Sequence, residues 1–250
     1  MSVSVCIATF NGSKYIKEQL VSIIKQLTVN DEIIISDNGS TDDTIKIIKE
    51  LNCPLIQLVH QQPTINNKLT KSYRITSNFG NALKYATCDY IFLCDQDDIW
   101  HPSKVQYCVN LLTTSNYSLI LHDAYVINDL GDNILDSYFS ISQPKISLSK
   151  NLFNNSFLGC CMVFEKKLLT KILPFPKSLI AHDMWIGFLA IYYSNMILVS
   201  EKLTYYRRHN DNSTSSAFKS KHSFYFKLYY RLEFFSQFIY KLFLIKLKSV

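Results

Sequence analysis

Residues 90–94, Tyr-Ile-Phe-Leu-Cys, form an apolar run without Gly or Pro, and the run ends in Asp95-Gln96-Asp97-Asp98. Such a run reads as a strand buried on both faces, which requires helices packed above and below a sheet. Three carboxylates within four residues at the end of a buried strand repel one another and are poorly solvated. In an open α/β sheet that edge is where ligands bind. A divalent cation such as Mg²⁺ or Mn²⁺ would compensate the charge, because hard cations take carboxylate oxygens and share themselves with phosphate. The competing explanation is an Asp-rich turn that caps the helix beginning near Pro102-Ser103, and it applies best to Asp98.

The chain before this strand alternates strand and helix. A strand over 3–8 ends in Thr9-Phe10-Asn11-Gly12, and a helix capped by Ser13 is expected to run to about residue 26 on one apolar face. A second strand, 32–36, ends in Asp37-Asn38-Gly39-Ser40-Thr41-Asp42-Asp43. Asn38-Gly39 reads as a tight turn, and Ser40 with Asp43 fits a capping box for a helix over 44–51. That accounts for Asp42 and Asp43 as helix N-terminal acids and leaves Asp37, at the strand end, outside the cap. A third strand at 54–59, a polar loop at 61–76 and a helix at 78–86 lead into the central strand. Alternation with short links predicts an α/β fold with a mostly parallel central sheet flanked by helices.

Beyond the acids the pattern loosens. It predicts a helix at 103–112, a strand at 118–122, an irregular polar segment at 123–144 and a helix at 148–157. A strand at 157–164 is entered through Gly159, His182-Asp183 opens an apolar helix at 185–193, and a short strand follows at 197–199. Asp183 fits a helix N-cap, and a carboxylate at a helix N-terminus can serve as cap and as base.

Several classes are set aside. No G-x-x-x-x-G-K-[ST] and no G-x-G-x-x-G occurs, so phosphates would be held by metal and not by a glycine cradle. Seven cysteines, none in a CxxC pair, read as buried free thiols in a reducing compartment. The chain starts in a strand without a secretory signal, and no 18-residue apolar run occurs, so the expected location is cytoplasmic. The net charge of +6 is uneven, with acids gathered before residue 140 and bases toward the end. That suits an acidic cleft and a basic tail for anionic lipid or a phosphate-bearing substrate, with no nucleic acid as partner.

The ordered set VSVCIATFN at 3–11, SDNGSTD at 36–42 and the stretch from Asn78 ending in DQDDIW at 100 resembles the inverting family 2 glycosyltransferases of the GT-A fold. The likeness covers about residues 2–210, and the set is far more specific than a lone D-x-D. It implies a GT-A nucleotide-diphospho-sugar transferase domain over 1–210 and an amphipathic helical extension over 211–250. In such a domain Thr9, Phe10, Asn11 and Asp37 would lie against the nucleotide, Asp95 and Gln96 would touch the sugar nucleotide, and Asp97 would bind the metal bridging the diphosphate. Asn38 stands where many members carry a second Asp. His182-Asp183 falls where the family carries its catalytic base, and the Gly159 region lines the acceptor and donor-sugar side. The run Tyr206-Arg207-Arg208-His209-x-x-Asn212 is similar to a motif of rhamnosyltransferase-like members, which makes His209 a further metal ligand and Arg207 or Arg208 candidates to meet the diphosphate.

The resemblance therefore implies metal-dependent transfer of a hexose or deoxyhexose, with rhamnose among the candidates, from a nucleoside diphosphate sugar to a saccharide or lipid-linked saccharide, with inversion. Polysaccharide assembly is the expected setting. A non-catalytic sugar-nucleotide-binding scaffold would keep Asp37 and Asp97 without using Asp183. A phosphotransferase with D-x-D after a buried strand leaves the Asp37 motif unexplained, and a nucleotidyltransferase lacks its basic glycine-rich first loop. The tail at 223–248, rich in aromatic, aliphatic and basic residues, is read as a helix that either docks on the core or lies on a membrane surface, with the surface reading favoured. Peripheral attachment to the cytoplasmic face of a membrane would follow.

Overall fold

The computed structural model describes residues 1–60, 71–179, 181–209 and 224–247. In chain order the elements are β1 (Val3–Thr9), α1 (Ile16–Ile24), β2 (Glu32–Asp37), α2 (Thr44–Glu50), β3 (Ile56–His60), α3 (Lys71–Leu83) and β4 (Tyr90–Asp95). Then come β5 (Ile99–Trp100), α4 (Lys104–Thr114), β6 (Leu119–Ile127), β7 (Asn133–Leu135), α5 (Phe139–Ser142) and α6 (Leu148–Phe153). The last are β8 (Met162–Glu165), α7 (Leu169–Ile172), α8 (His182–Tyr193), β9 (Met196–Arg207) and α9 (Phe224–Leu247).

Period-two alternation along the inner strands decides the layering. Val5 and Ile7 of β1, Ile33 and Ile35 of β2, and Phe92 of β4 face Ile16, Leu20 and Ile23 of α1 and Cys108 and Leu112 of α4. Their neighbours Cys6, Ile34, Ile91 and Leu93 face the other way, toward Phe79 and Leu83 of α3 and the apolar side of α8. Each strand position is thus buried whichever way it points, the requirement that the 90–94 run imposes. Full burial of such side chains stabilises the layers by about 1.5–3 kcal/mol apiece.

The strand order is β3-β2-β1-β4-β8-β6-β9-β5, with β7 on β6. The first four strands are mutually parallel; β8 runs antiparallel to β4 and β6, and β5 antiparallel to β9, so the sheet is mixed. This is the α/β sheet that the sequence pattern leads to and the GT-A-like arrangement that the resemblance implies, with a C-terminal helix added.

Several local expectations are corrected. Helix α3 begins at Lys71, inside the segment expected as loop. Strand β6 continues to Ile127 and β7 follows, where 123–144 is expected to be irregular. The polar Asp123 stays in β6 because its Oδ1 accepts from the Ala124 and Phe139 amides at 2.7 and 2.8 Å and its Oδ2 from Ser137 at 2.6 Å. Helix α6 stops at Phe153, and a 3-10 turn at Gly159–Cys161 precedes the short β8. Strand β9 spans Met196–Arg207 instead of three residues, because it pairs along β6 through Ile127. Neither Ser13 nor the Ser40–Asp43 pair caps a helix. Asp42 Oδ1 accepts from the Thr44 amide at 3.0 Å, its Oδ2 accepts from the Ser13 amide at 3.1 Å, and Ser40 turns to Asp37.

Candidate active site

The strand register gathers the sequence-flagged residues at one edge. Pairing of β1 with β2 sets Thr9 opposite Asp37, and pairing with β4 sets Ala8 opposite Asp95. The turns that follow the three strands therefore leave the sheet side by side. Asp37 is 1% exposed and fully bonded: Oδ1 accepts from Thr9 Oγ1 at 3.0 Å and Ser40 Oγ at 2.5 Å, and Oδ2 from the Gly39 and Ser40 amides at 2.9 and 2.8 Å. These four bonds fill its acceptor sites, so Asp37 holds the 38–40 turn in shape.

Asn11, at φ 49°, accepts the Thr41 amide on Oδ1 at 2.9 Å and donates its own amide to Ser40 Oγ at 2.9 Å, which ties the first turn to the second. Gln96 ties the first to the third. Its Oε1 accepts the Phe10 amide at 2.9 Å and its Nε2 donates to the Phe10 carbonyl at 3.2 Å. Gly12 is needed beside it, since a Cβ there would lie 2.5 Å from Gln96 Oε1. Phe10, 41% exposed, keeps its ring open at the edge with the Arg74 guanidinium 5.6 Å above it. An exposed aromatic ring backed by an ordered polar loop is a platform on which a planar base can stack.

The acid turn is more constrained than its sequence shows. Burial raises the Asp95 carboxyl well above its ordinary range, and Asp98, Asp97 and Asp183 raise it further. Burial and then Asp97 push Asp98 up to about 7. Asp98 Oδ1 accepts the Arg207 amide at 2.9 Å, while its Oδ2 is buried without a nitrogen or oxygen donor among the described residues. Asp95, Asp98 and Cys160 each place a ligand atom within 4.8 Å of the others. On the outer side of the turn His209 Nε2 lies 2.8 Å from Asp97 Oδ2. Crowded carboxylates with an orphaned oxygen fit a hard divalent cation; the Cys160 thiol does not, being soft and held protonated by burial.

Two buried cations brace this turn. Lys104, fully buried, donates to the Cys160 carbonyl and Thr204 Oγ1, both at 2.8 Å, and lies 4.4 Å from the Trp100 ring centroid. Arg207, 2% exposed, donates to the Asp97 carbonyl at 2.9 Å, the Asp129 carbonyl at 3.1 Å and Glu18 at 2.6 Å. The Arg207 guanidinium is thus committed to fixing the turn's backbone, not presented to a diphosphate as the sequence motif suggests. Arg208 donates to the Tyr206 hydroxyl at 3.1 Å. Asn212 lies outside the described residues.

Asp183 is the remaining carboxylate that the sequence flags. It sits in the first turn of α8, where Oδ1 accepts the Met184 amide at 2.7 Å and Oδ2 accepts Asn155 Nδ2 at 3.2 Å. Burial pushes its carboxyl up to about 6. Its charge raises the Asp95 carboxyl, although the two are far apart in sequence, so the fold brings α8 within electrostatic reach of the acid turn. His182 beside it is packed away: its ring stacks on Phe79 with centroids 4.2 Å apart, and a Cβ on Gly159 would lie 2.8 Å from its Nε2. Burial holds that imidazole down near 3, neutral at any working pH.

Three contributors escaped the sequence reading. Lys104 carried a signal, since 104, 108 and 112 fall on one helical face and the other two are apolar. Asn155 and Cys160 carried none, because the folding of α6 and the 3-10 turn brings them to the acids.

A parallel β3-β2-β1-β4 sheet with an acid turn at its carboxyl edge, an exposed aromatic ring beside it and a half-buried carboxylate at the start of α8 is the layout of a GT-A nucleotide-sugar transferase. The sequence profile of glycosyl transferase family 2 matches residues 4–173, and the chain belongs to that family. It is similar to the dTDP-rhamnosyl transferase RfbG of Shigella flexneri, 28% identical over 229 residues that cover 86% of this chain and 76% of that protein. It is also similar to the UDP-Glc:alpha-D-GlcNAc-diphosphoundecaprenol beta-1,3-glucosyltransferase WfgD of Escherichia coli, 27% identical over 174 residues, 70% of this chain and 64% of that one. Among solved structures, S. aureus TarS (residues 1–349) in complex with UDP-GlcNAc superposes with a TM-score of 0.69 at 21% identity, over 92% of this chain and 65% of that one. No helix among the described residues is long and apolar enough to cross a membrane.

Proposed function

We propose that the chain moves a hexose or deoxyhexose from a nucleoside diphosphate sugar to a hydroxyl of a saccharide or lipid-linked saccharide, inverting the anomeric centre, in the assembly of a cell-surface polysaccharide. The observation that carries this reading is the electrostatic coupling of two carboxylate sets far apart in sequence, the acid turn after β4 and Asp183 in the first turn of α8. A single displacement needs a base on the acceptor's side and charge neutralisation on the leaving group's side.

Asp183 takes the acceptor proton. The Met184 amide and Asn155 each hold one of its oxygens, which aims the remaining lone pairs and keeps the carboxylate ionised despite burial. Phe10 and Asn11 receive the base and ribose on the loop that Thr9, Asp37 and Gln96 keep in place, with Asp37 acting through the loop it orders. Mg²⁺ or Mn²⁺ held by Asp97 and His209, with Asp95 beside them, would neutralise the charge growing on the departing diphosphate. Arg207 and Lys104 keep the acid turn from springing apart.

RfbG by its name uses dTDP-rhamnose, and WfgD by its name acts on a diphosphoundecaprenol-linked sugar. Those names support a deoxyhexose or hexose donor and a lipid-linked acceptor here. A scaffold that binds the nucleotide without turnover is the rival reading. Incubating each of dTDP-rhamnose, UDP-glucose and UDP-GlcNAc with membrane lipid extract separates them, because the enzyme releases nucleoside diphosphate and Asp183→Asn does not, whereas a scaffold releases none from either.

A further inference from the structure

Helix α9 presents two unlike faces. One docks: Phe234 and Phe238, 1% and 2% exposed, set their edges against Trp185 and Phe188 of α8, and Arg231 and Lys241 donate to the Leu152 and Leu173 carbonyls at 3.1 and 2.7 Å. The opposite face is apolar and open. Tyr225, Tyr229, Leu232, Tyr240, Phe243 and Leu247 recur at helical spacing along it, each 57–82% exposed. A soluble surface rarely carries such a stripe over a 24-residue helix, about 36 Å at 1.5 Å per residue.

We infer that this outer face of α9 is a docking surface for an anionic membrane, on which the helix lies in the plane of the headgroups and from which a lipid-linked acceptor enters the cleft. The inference rests on the transferase reading above for the identity of the acceptor. Charge chooses the occupant. From Lys219 to Lys248 the sequence holds seven basic residues, and Glu233 is its only acid. That Glu233 is turned to Ser178 Oγ at 3.0 Å, whereas Lys246 stands exposed on the open face. The segment is thus net positive in sequence, so a second copy would bring two like-charged segments together, which is repulsive, whereas anionic lipid complements the charge. The face carries tyrosines at Tyr225, Tyr229 and Tyr240, side chains with an apolar body and a polar tip that suit the headgroup boundary. The helix is also tied to the chemistry: the Tyr230 hydroxyl is buried without a partner among the described residues, and burial and then the Asp183 charge raise it. Helix α9 therefore packs on the same helix that carries Asp183, which ties the membrane-facing element to the proposed base.

The test is co-sedimentation of the whole chain with vesicles of phosphatidylcholine alone and of phosphatidylcholine and phosphatidylglycerol in equal amounts. Wild type is compared with Leu232→Glu/Phe243→Glu, whose changed side chains touch no core. Nucleoside diphosphate binding and circular dichroism are followed in parallel. The expected result is pelleting with the anionic vesicles, much less with phosphatidylcholine alone, and a loss of about a hundredfold in the double variant, with fold and nucleotide binding unchanged. Wild type that stays in the supernatant, or a variant that pellets as well as wild type, overturns the surface. So does a solution dimer that the variant dissociates without any vesicle binding. If no nucleotide binds yet vesicle binding is lost in the variant, the transferase reading falls and the surface stands.

Discussion

His209 Nε2 lies 2.8 Å from Oδ2 of Asp97, across 112 residues of sequence. The contact exists because β9 runs on to Arg207, which delivers the next two residues to the turn after β4. His209→Ala is expected to raise the Mn²⁺ concentration that supports half-maximal turnover by about tenfold or more. It should lower the folded stability by about 1–3 kcal/mol, because both side chains, 10% and 14% exposed, are mostly buried and Asp97 loses a hydrogen-bond partner. A metal titration of initial rates reads the first, and denaturant unfolding the second.

Asp183 sets the pH dependence. Its carboxyl, lifted to about 6 by burial, lies within electrostatic reach of Asp95, Tyr138 and Tyr230, and only its ionised form accepts the acceptor's proton. A raised carboxylate pKa means the base is lost on acidification, so kcat/KM is expected to fall about tenfold per pH unit below about 6 and to flatten above it. Asp183→Asn should lower kcat by about a hundredfold to ten-thousandfold while leaving donor binding intact. Stopped assays from pH 5 to 8 (about the range buffers cover without touching metal solubility) and donor titration check both.

Asn155 is expected to act through Asp183 alone. Asn155→Ala removes the 3.2 Å bond to Oδ2 and should shift the acidic limb of the rate profile toward higher pH. Donor KM should stay within about twofold, since the hydrogen bonds of Asn155 among the described residues go to Asp183 and Phe157. A changed donor KM with an unchanged limb would contradict this positioning role.

The inner sheet was legible because its physics is local. Apolar runs of four to six residues closed by Asn-Gly or acidic turns have few foldings other than buried parallel strands, and the edge where Asp37, Asp95 and Asp97 gather follows from that. The antiparallel half was not legible. Residues 123–144 read as irregular because Asp123 and Asp129 break the pattern, yet Asp123 is satisfied by the amides of Ala124 and Phe139 and sits comfortably in β6. Arg207 or Arg208 read as a diphosphate ligand because the run resembles a family motif; the long-range partners of Arg207, Glu18 and Asp129, cannot be seen from spacing. Ser40 fitted a cap by spacing but is taken by Asp37, a buried charge that outbids a helix end.

Arg207→Lys tests the brace. Lysine keeps the charge but not the planar fork that reaches the Asp97 carbonyl, the Asp129 carbonyl and Glu18 together. The expected cost is about 2 kcal/mol of stability, with a larger fractional loss in metal-supported turnover than in nucleotide binding without metal. Thermal unfolding and calorimetry in EDTA separate the two.

Gly187→Ala tests the packing of α8 that places Asp183. A Cβ there would lie 2.4 Å from the Phe157 ring, deep in the core. Overpacking of this kind is expected to cost about 1–3 kcal/mol, read as a lowered denaturant midpoint with an unchanged slope.

Calorimetric titration of the protein with UDP, dTDP and GDP, each in Mn²⁺ and in EDTA, tests the central claim most directly. The account expects one of the three to bind in Mn²⁺, with binding lost in EDTA and in Asp97→Ala. Binding that is equal in EDTA and in Asp97→Ala, or no binding of any of the three, would contradict it.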